Sequence, residues 1–309
     1  MILAPNKPHR ALLLQSACCG ETERMNASSN SNIAIPNITL NNDLIIPQVG
    51  LGVWQAAEGE EVETAVRSAL ESGYRLIDTA AIYGNEDGVG KAMKDSGVPR
   101  EEIFLTTKLW NANHAYDDAL KAFDESLAKL DSGYVDLYLI HWPLPMDGKF
   151  VEAWKALEKL YADKRVRAIG VSNFKPHHLD ELLKEAQVTP AVNQIELHPL
   201  LQQKETRAYC DQHGIKVESY SPLMRGGESL ENPVLVDLAN KHGKSAAQVV
   251  LRWHLQSGLI VIPKSVTPHR IRENLNIFDF ELSSEDMSAI EGLDSDQRIG
   301  ADPDTAAFK

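Results

Sequence analysis

The feature that most constrains this chain is an alternation of short apolar runs with amphipathic helical stretches, sustained over roughly 250 residues. Val62, Ala65, Val66, Ala69 and Leu70 fall on one face of a helix that Gly73 ends, and Arg75–Asp78 then reads as a buried strand. Helix Glu86–Ser96 is followed by strand Ile103–Thr107, and the helix marked by Ala119, Leu120, Phe123, Leu127 and Leu130 by strand Val135–Ile140. The same pairing repeats in Val151–Ala162 with Arg167–Val171, Pro176–Ala186 with Ala191–Ile195, and Lys204–Gln212 with Lys216–Ser219. Two helices, Pro233–His242 and Ser245–Gln256, precede strand Leu259–Ile262; Ser245 and Gln248 have capping-box spacing. Helix Pro268–Asn274, a short strand near Asn276–Phe278 and helix Ser284–Leu293 complete the series.

Apolar strands joined by helical crossovers require a parallel sheet covered by helices, and eight such units close into a (β/α)8 TIM barrel. An open dinucleotide-binding sheet would carry a three-glycine fingerprint after its first strand. Gly50-Leu51-Gly52 lacks the third glycine and precedes the first strand as read here. Ahead of the barrel, Asn37–Leu40 and Leu44–Pro47 flank an Asn/Asp turn and read as a hairpin. Residues 1–35 hold only a four-residue apolar run and a polar Asn/Ser tract, so a disordered arm is expected there and one domain over 36–309.

A formal charge of −13 argues against general nucleic-acid or membrane binding. Three cysteines make no disulfide framework and no metal-ligand spacing occurs, which points to no metal and a cytoplasmic setting. No extended interaction surface is legible, and a monomer acting on a small molecule is expected.

Barrel chemistry belongs to the carboxyl ends of the strands. There the chain places Asp78, Tyr83, Lys108 and His141. A strand-end aspartate is ordinarily a helix cap and a lone histidine ordinarily structural, but a lysine closing an apolar strand needs a partner. Together they make a proton-delivery set. Lys108 would lower the pKa of the Tyr83 phenol, Asp78 would hold Lys108, and His141 would orient a substrate carbonyl. A carbonyl that accepts hydride on carbon needs a proton on oxygen, and Tyr83 is placed to give it.

The stretches Asp78-Thr79-Ala80-Ala81-Ile82-Tyr83-Gly84-Asn85-Glu86, Thr107-Lys108-Leu109-Trp110, His141-Trp142-Pro143, Gly170-Val171-Ser172-Asn173-Phe174 and Asn193-Gln194-Ile195-Glu196-Leu197-His198-Pro199 resemble the aldo-keto reductases. The nearest likeness is to the bacterial 2,5-diketo-gluconic acid reductase branch. The resemblance implies a barrel closed at its bottom by the N-terminal hairpin and an NADPH-dependent carbonyl reduction with Tyr83 as general acid. It implies that Ser172, Asn173 and Gln194 meet the nicotinamide carboxamide and Tyr220 stacks on the ring. It further implies that Lys264, Ser265 and Arg270 hold the adenosine 2′-phosphate, with Glu273 and Asn274 at the adenine. The segment from Ser221 through Leu223 to Gly227 matches a loop over the pyrophosphate, its two glycines suiting a moving flap.

Trp54, Trp110 and Trp142 fall at rim positions and suggest an apolar wall around the reacting carbonyl. The tail after Leu293 has no spacing that places it. Keto-sugar acids such as 2,5-diketo-gluconate, dicarbonyls such as methylglyoxal, and simple aldehydes all suit this chemistry. Two other readings use the same barrel: a Schiff-base lyase with Lys108 as nucleophile, and a slowly turning NADPH-binding regulatory subunit.

Overall fold

The computed structural model describes residues 35–308. The disordered arm expected over residues 1–35 lies outside them except for Ile35, which packs against the core. Strands β1 (Asn37–Thr39) and β2 (Ile45–Pro47) form the expected antiparallel hairpin, Ile38 facing Ile46. The barrel strands are β3 (Leu51–Gly52), β4 (Leu76–Asp78), β5 (Phe104–Leu109), β6 (Val135–Ile140), β7 (Val166–Ser172), β8 (Val192–Glu196), β9 (Lys216–Tyr220) and β10 (Ile260–Val261). They pair in parallel in sequence order. Parallel bridges from Val49 to Val261 and from Gly52 to Lys264 close the ring.

The first and last barrel strands differ from expectation. Leu51–Gly52 is a strand, and Asn276–Phe278 forms turns rather than the eighth strand. Two glycines explain why that first strand was hard to see. A Cβ on Gly50 would lie 2.4 Å from Leu76 Cγ, and one on Gly52 would lie 3.0 Å from the Ile262 carbonyl oxygen. Barrel closure requires this backbone contact, so the residues that allow it are those that strand propensity disfavours. Counted from β3, the strand that leads to Lys264 is therefore the eighth of the barrel, not the seventh.

The helices follow their spacing closely. They are α1 (Glu60–Glu71), α2 (Glu86–Asp95), α3 (Tyr116–Leu130), α4 (Phe150–Ala162), α5 (Pro176–Glu185) and α6 (Lys204–Gln212). Then come α7 (Pro233–His242), α8 (Ala246–Gln256), α9 (Pro268–Glu273) and α10 (Ser284–Glu291). At α8 the Ser245 amide donates to Gln248 Oε1 at 2.9 Å and the Gln248 amide to Ser245 Oγ at 3.3 Å, satisfying two helix-end donors.

Strand alternation sorts the core into two layers. Outward residues such as Tyr138 and Ile140 pack under the helices with Phe123, Trp154 and Trp253. Inward residues Leu76, Phe104, Leu137, Leu139, Ala168, Val192 and Ile260 fill the barrel, and Leu40 and Ile46 of the hairpin segment join them. The hairpin thus plugs the end where the strands begin, as the resemblance implied. The opposite end is left for chemistry.

Candidate active site

The turn after β4 is built to present a tyrosine. Thr79 Oγ1 donates to Asn85 Oδ1 at 2.8 Å, and Asn85 Nδ2 donates to the carbonyls of Val53 at 3.0 Å and Ala56 at 3.1 Å. Glu86 accepts from Thr107 Oγ1 at 2.6 Å. The short 3-10 turn Ala81–Tyr83 is then closed by Gly84 at φ 64°, a left-handed position that glycine adopts without steric cost. Asn85 and Glu86 therefore brace the turn that carries Tyr83.

Asp78, Lys108 and Tyr83 come together as expected. Lys108 Nζ lies 2.6 Å from Asp78 Oδ1, 2.8 Å from the Thr79 carbonyl and 3.5 Å from Tyr83 Oη. The lysine and aspartate are buried, whereas Tyr83 is only partly covered. Burial works to lower the Lys108 pKa, but Asp78 and Tyr83 outweigh it and hold the ammonium above its ordinary value. Burial likewise pushes the Asp78 carboxyl up, against the pull of Lys108.

Tyr83 departs from expectation. Burial raises its pKa, and Asp78 and Glu218 add to the rise; the lowering by Lys108 does not overcome them. One cation shared with a closer carboxylate cannot offset desolvation of a phenol. The resting tyrosine therefore keeps its proton, and Lys108 limits the rise rather than producing a low pKa.

His141, just beyond β6, presents its ring edge-on to Tyr83, centroids 5.8 Å apart, and to Trp110 at 5.3 Å. Burial, then Lys108 and His114, hold its pKa well below the usual histidine range, so the imidazole is neutral. Its Nδ1 is enclosed without a hydrogen-bond partner, leaving Nε2 for a ligand.

Beside this set lies a chain of amides and hydroxyls. Ser172 Oγ donates to the Gln194 carbonyl at 2.9 Å, and Asn173 Nδ2 to the His141 carbonyl at 2.9 Å. Tyr220 Oη donates to Asn173 Oδ1 at 2.8 Å. Asn173 holds φ at 66°, which turns its side chain back across the strand ends. Gln194 Nε2 donates to Asp78 Oδ2 at 2.7 Å and to Glu218 Oε2 at 3.1 Å, so its side-chain Oε1 is spared for another donor.

Farther around the rim, Lys264 and Arg270 are exposed and have no ion-pair partner among the described residues. Ser265 is buried and accepts the Thr267 amide at 3.1 Å, shaping the entry to α9. Glu273 is the last residue of that helix and Asn274 its buried C-cap. Ser221, Met224 and Arg225 all have positive φ, so the segment from Ser221 past Leu223 is a folded-back turn. Gly226 and Gly227 have open space around them.

These residues fit NADP(H). Two unpaired cations and a hydroxyl suit a phosphate monoester. The Ser172, Asn173 and Gln194 set offers both donors and an acceptor to a carboxamide.

The three tryptophans part company. Trp110 is half-buried and Trp142 buried near His141, whereas Trp54 is 40% exposed and lies under the Arg225 guanidinium, 5.5 Å away. The third aromatic wall is Phe308, which the sequence did not reveal. It stacks on Trp110 at 6.0 Å and meets Trp142 edge-on at 5.0 Å, while Asn111 Nδ2 donates to its carbonyl at 2.8 Å.

The tail that carries Phe308 is tied down twice. Glu196 accepts the amides of Ile299 at 2.6 Å and Gly300 at 2.8 Å, and Lys175 Nζ lies 2.7 Å from both Asp302 and Asp304. Among the described residues one group has metal-like convergence: His177, His178 and Asp304, ligand atoms within 4.8 Å of one another. His178 Nδ1 accepts the Lys175 amide, so Nε2 of the neutral ring carries the hydrogen and has no lone pair for a cation. The cluster serves the tail instead.

The chain matches the Aldo/keto reductase family over residues 48–295. It belongs to that family. It is 55% identical over 269 residues to the 9,11-endoperoxide prostaglandin H2 reductase of Trypanosoma cruzi (strain CL Brener), covering 86% of this chain and 94% of that one. It is 54% identical over 271 residues to the glyoxal reductase of Bacillus subtilis (strain 168), covering 88% and 97%. A mutant of Gox0644, crystallised in complex with NADPH, superposes with a TM-score of 0.83 at 49% identity, covering 89% of this chain and 100% of that one. The reductase is thus an NADPH-dependent oxidoreductase acting on carbonyl groups, built on a (β/α)8 barrel. No helix among its described residues is long and apolar enough to cross a membrane.

Proposed function

We propose that this reductase acts on small α-dicarbonyl compounds such as methylglyoxal, with Tyr83 delivering the proton and His141 orienting the carbonyl. The carrying observation is the placement of Tyr83 Oη 3.5 Å from an ammonium that Asp78 holds at 2.6 Å, beside a neutral imidazole. A neutral imidazole is a poor proton donor but a good hydrogen-bond donor, so the two roles separate by protonation state. As the alkoxide forms, the phenol proton moves to it, and Lys108 stabilises the tyrosinate left behind. Asp78 keeps Lys108 charged and aimed.

NADPH, when bound, supplies the hydride. Ser172, Asn173 and Gln194 would hold its carboxamide, Tyr220 the ring, and Ser221 and Leu223 the pyrophosphate. Lys264, Ser265 and Arg270 would hold the 2′-phosphate, with Glu273 and Asn274 at the adenine. Trp110, Trp142 and Phe308 make an apolar wall that excludes water from the reacting carbonyl. The apolar character of that wall favours neutral dicarbonyls over keto-sugar acids; the glyoxal reductase likeness supports the same choice.

The lyase reading is disfavoured because Lys108 is an ammonium donating to Asp78 and Thr79, without the lone pair a Schiff base needs. The regulatory reading leaves the proton-delivery set without a purpose. We further take the protein to be a cytoplasmic monomer, in keeping with its charge and its few cysteines.

A substrate panel followed by NADPH absorbance tests the assignment. Methylglyoxal should exceed 2,5-diketo-gluconate in kcat/KM by about tenfold or more, about 1.4 kcal/mol in transition-state binding. Preference for the sugar acid would refute it.

A further inference from the structure

The barrel interior holds a carboxyl that the reaction as described does not use. Glu218 is on β9, paired in register with Gln194 on β8 and Ile260 on β10, and is fully enclosed. A glutamate at that depth needs partners. Gln194 Nε2 donates to its Oε2 at 3.1 Å, while Oε1 has no hydrogen-bond partner. The same Nε2 donates to Asp78 Oδ2 at 2.7 Å. Two carboxyls therefore share one amide group, their acceptor oxygens less than about 6 Å apart.

The charged and titratable groups facing Glu218 are Asp78 from β4, Lys108 from β5 and Tyr83 from the turn after β4. Lys108 is the single cation among them, and it contacts Asp78. With both carboxyls ionised, the site would hold two negative charges against one ammonium, away from water. A shared proton is the expected outcome. The contacts decide where it rests: Asp78 has the ammonium and Glu218 does not. Burial pushes the Glu218 carboxyl up to about 8, Asp78 adding to the rise against Gln194 and Lys108.

We propose that Glu218 is a positioning residue of the reduction, holding a proton in the working enzyme so that Asp78 remains the sole counter-charge of Lys108 and Gln194 stays aligned between the two carboxyls. Once that proton leaves, a second carboxylate competes for Lys108 and tightens the hold of Tyr83 on its own proton, and proton delivery slows. The proposal rests on Tyr83 as the donor.

The test is kcat for methylglyoxal at saturating NADPH, from about pH 6 to about pH 10, in wild type and Glu218→Gln. Glutamine is neutral at every pH and still offers an oxygen to Gln194. Wild-type kcat should fall by about tenfold per unit above the Glu218 transition near 8, whereas E218Q should hold its neutral-pH rate for at least about one unit more. A structural role alone lowers kcat by a constant factor without moving the profile. Superimposable profiles overturn the proposal. So does failure of E218Q and of the apolar Glu218→Met to fold, since a residue that works uncharged tolerates neutral replacement. If the Tyr83 reading is at fault instead, Tyr83→Phe stays active; if only this inference fails, that variant is inactive and the E218Q profile is unmoved.

Discussion

Tyr83→Phe separates catalysis from folding, because the phenol hydroxyl does little for the fold. Its one close contact is with Lys108 at 3.5 Å, the outer limit of a hydrogen bond. The ring contacts, edge-on to His141 at 5.8 Å and against the Lys108 ammonium at 5.1 Å, survive in phenylalanine. Losing such a bond costs at most about 1 kcal/mol, so the melting temperature should move by no more than about 4 °C. Catalysis loses its proton donor. General acid catalysis is worth roughly 10²- to 10⁴-fold, or about 2.7 to 5.4 kcal/mol. His141 cannot stand in, since its imidazole is already neutral. The assay is loss of NADPH absorbance with methylglyoxal at saturating cofactor, beside a fluorescence titration of NADPH. The expected result is a kcat lower by at least about a hundredfold with NADPH affinity within about threefold. A variant that keeps a tenth or more of wild-type kcat would mean that another group protonates the product, and the assigned role of Tyr83 would be lost.

Two further substitutions probe neighbouring parts of the site. Arg270→Ala removes an exposed guanidinium with no ion-pair partner among the described residues, and charge-assisted bonds of about 1.5 to 3 kcal/mol to a 2′-phosphate predict roughly 10- to 100-fold weaker NADPH binding. NADH binding should change by less than about threefold, and equal losses in a titration would remove the phosphate assignment. Lys108→Met strips the buried ion pair of its cation, which costs about 3 to 5 kcal/mol and roughly 10 °C in melting temperature. Asp78→Asn combined with it should recover at least half of that loss, and a double variant no more stable than Lys108→Met would show that Asp78 is not the stranded charge.

What the sequence revealed of this molecule divides along physical lines. Helix spacing and end signals are local, so α6, α7 and the Ser245 cap of α8 agree with expectation to the residue. The meeting of Lys108 with Asp78 was legible because a lysine at the end of an apolar strand is costly without a partner, and β4 supplies one. The first barrel strand was not legible. Its hydrogen bonds run to β4 and to the last strand; Gly50 answers to the Leu76 side chain, and Gly52 to the Ile262 carbonyl more than two hundred residues away. Phe308 was hidden for the same reason, since only the folded chain shows that Glu196 and Lys175 carry the tail to Trp110.

Glu218 is the most instructive omission. In the sequence it is an ordinary glutamate two residues before Tyr220, and strand alternation alone could have warned that both side chains point inward. Alternation does not say that Asp78 and Gln194 point to the same place from strands far apart in the chain. The charge on a buried group depends on every other charge around it, so no motif read one segment at a time gives the protonation state of this site. At Tyr83 burial raises the phenol first; Lys108 alone would lower it, but Asp78 and Glu218 oppose that lowering. Lys108 thus has to neutralise Asp78 before it can favour tyrosinate. A second ionised carboxylate would weaken that effect further, which is why the proton on Glu218 bears on the proton leaving Tyr83.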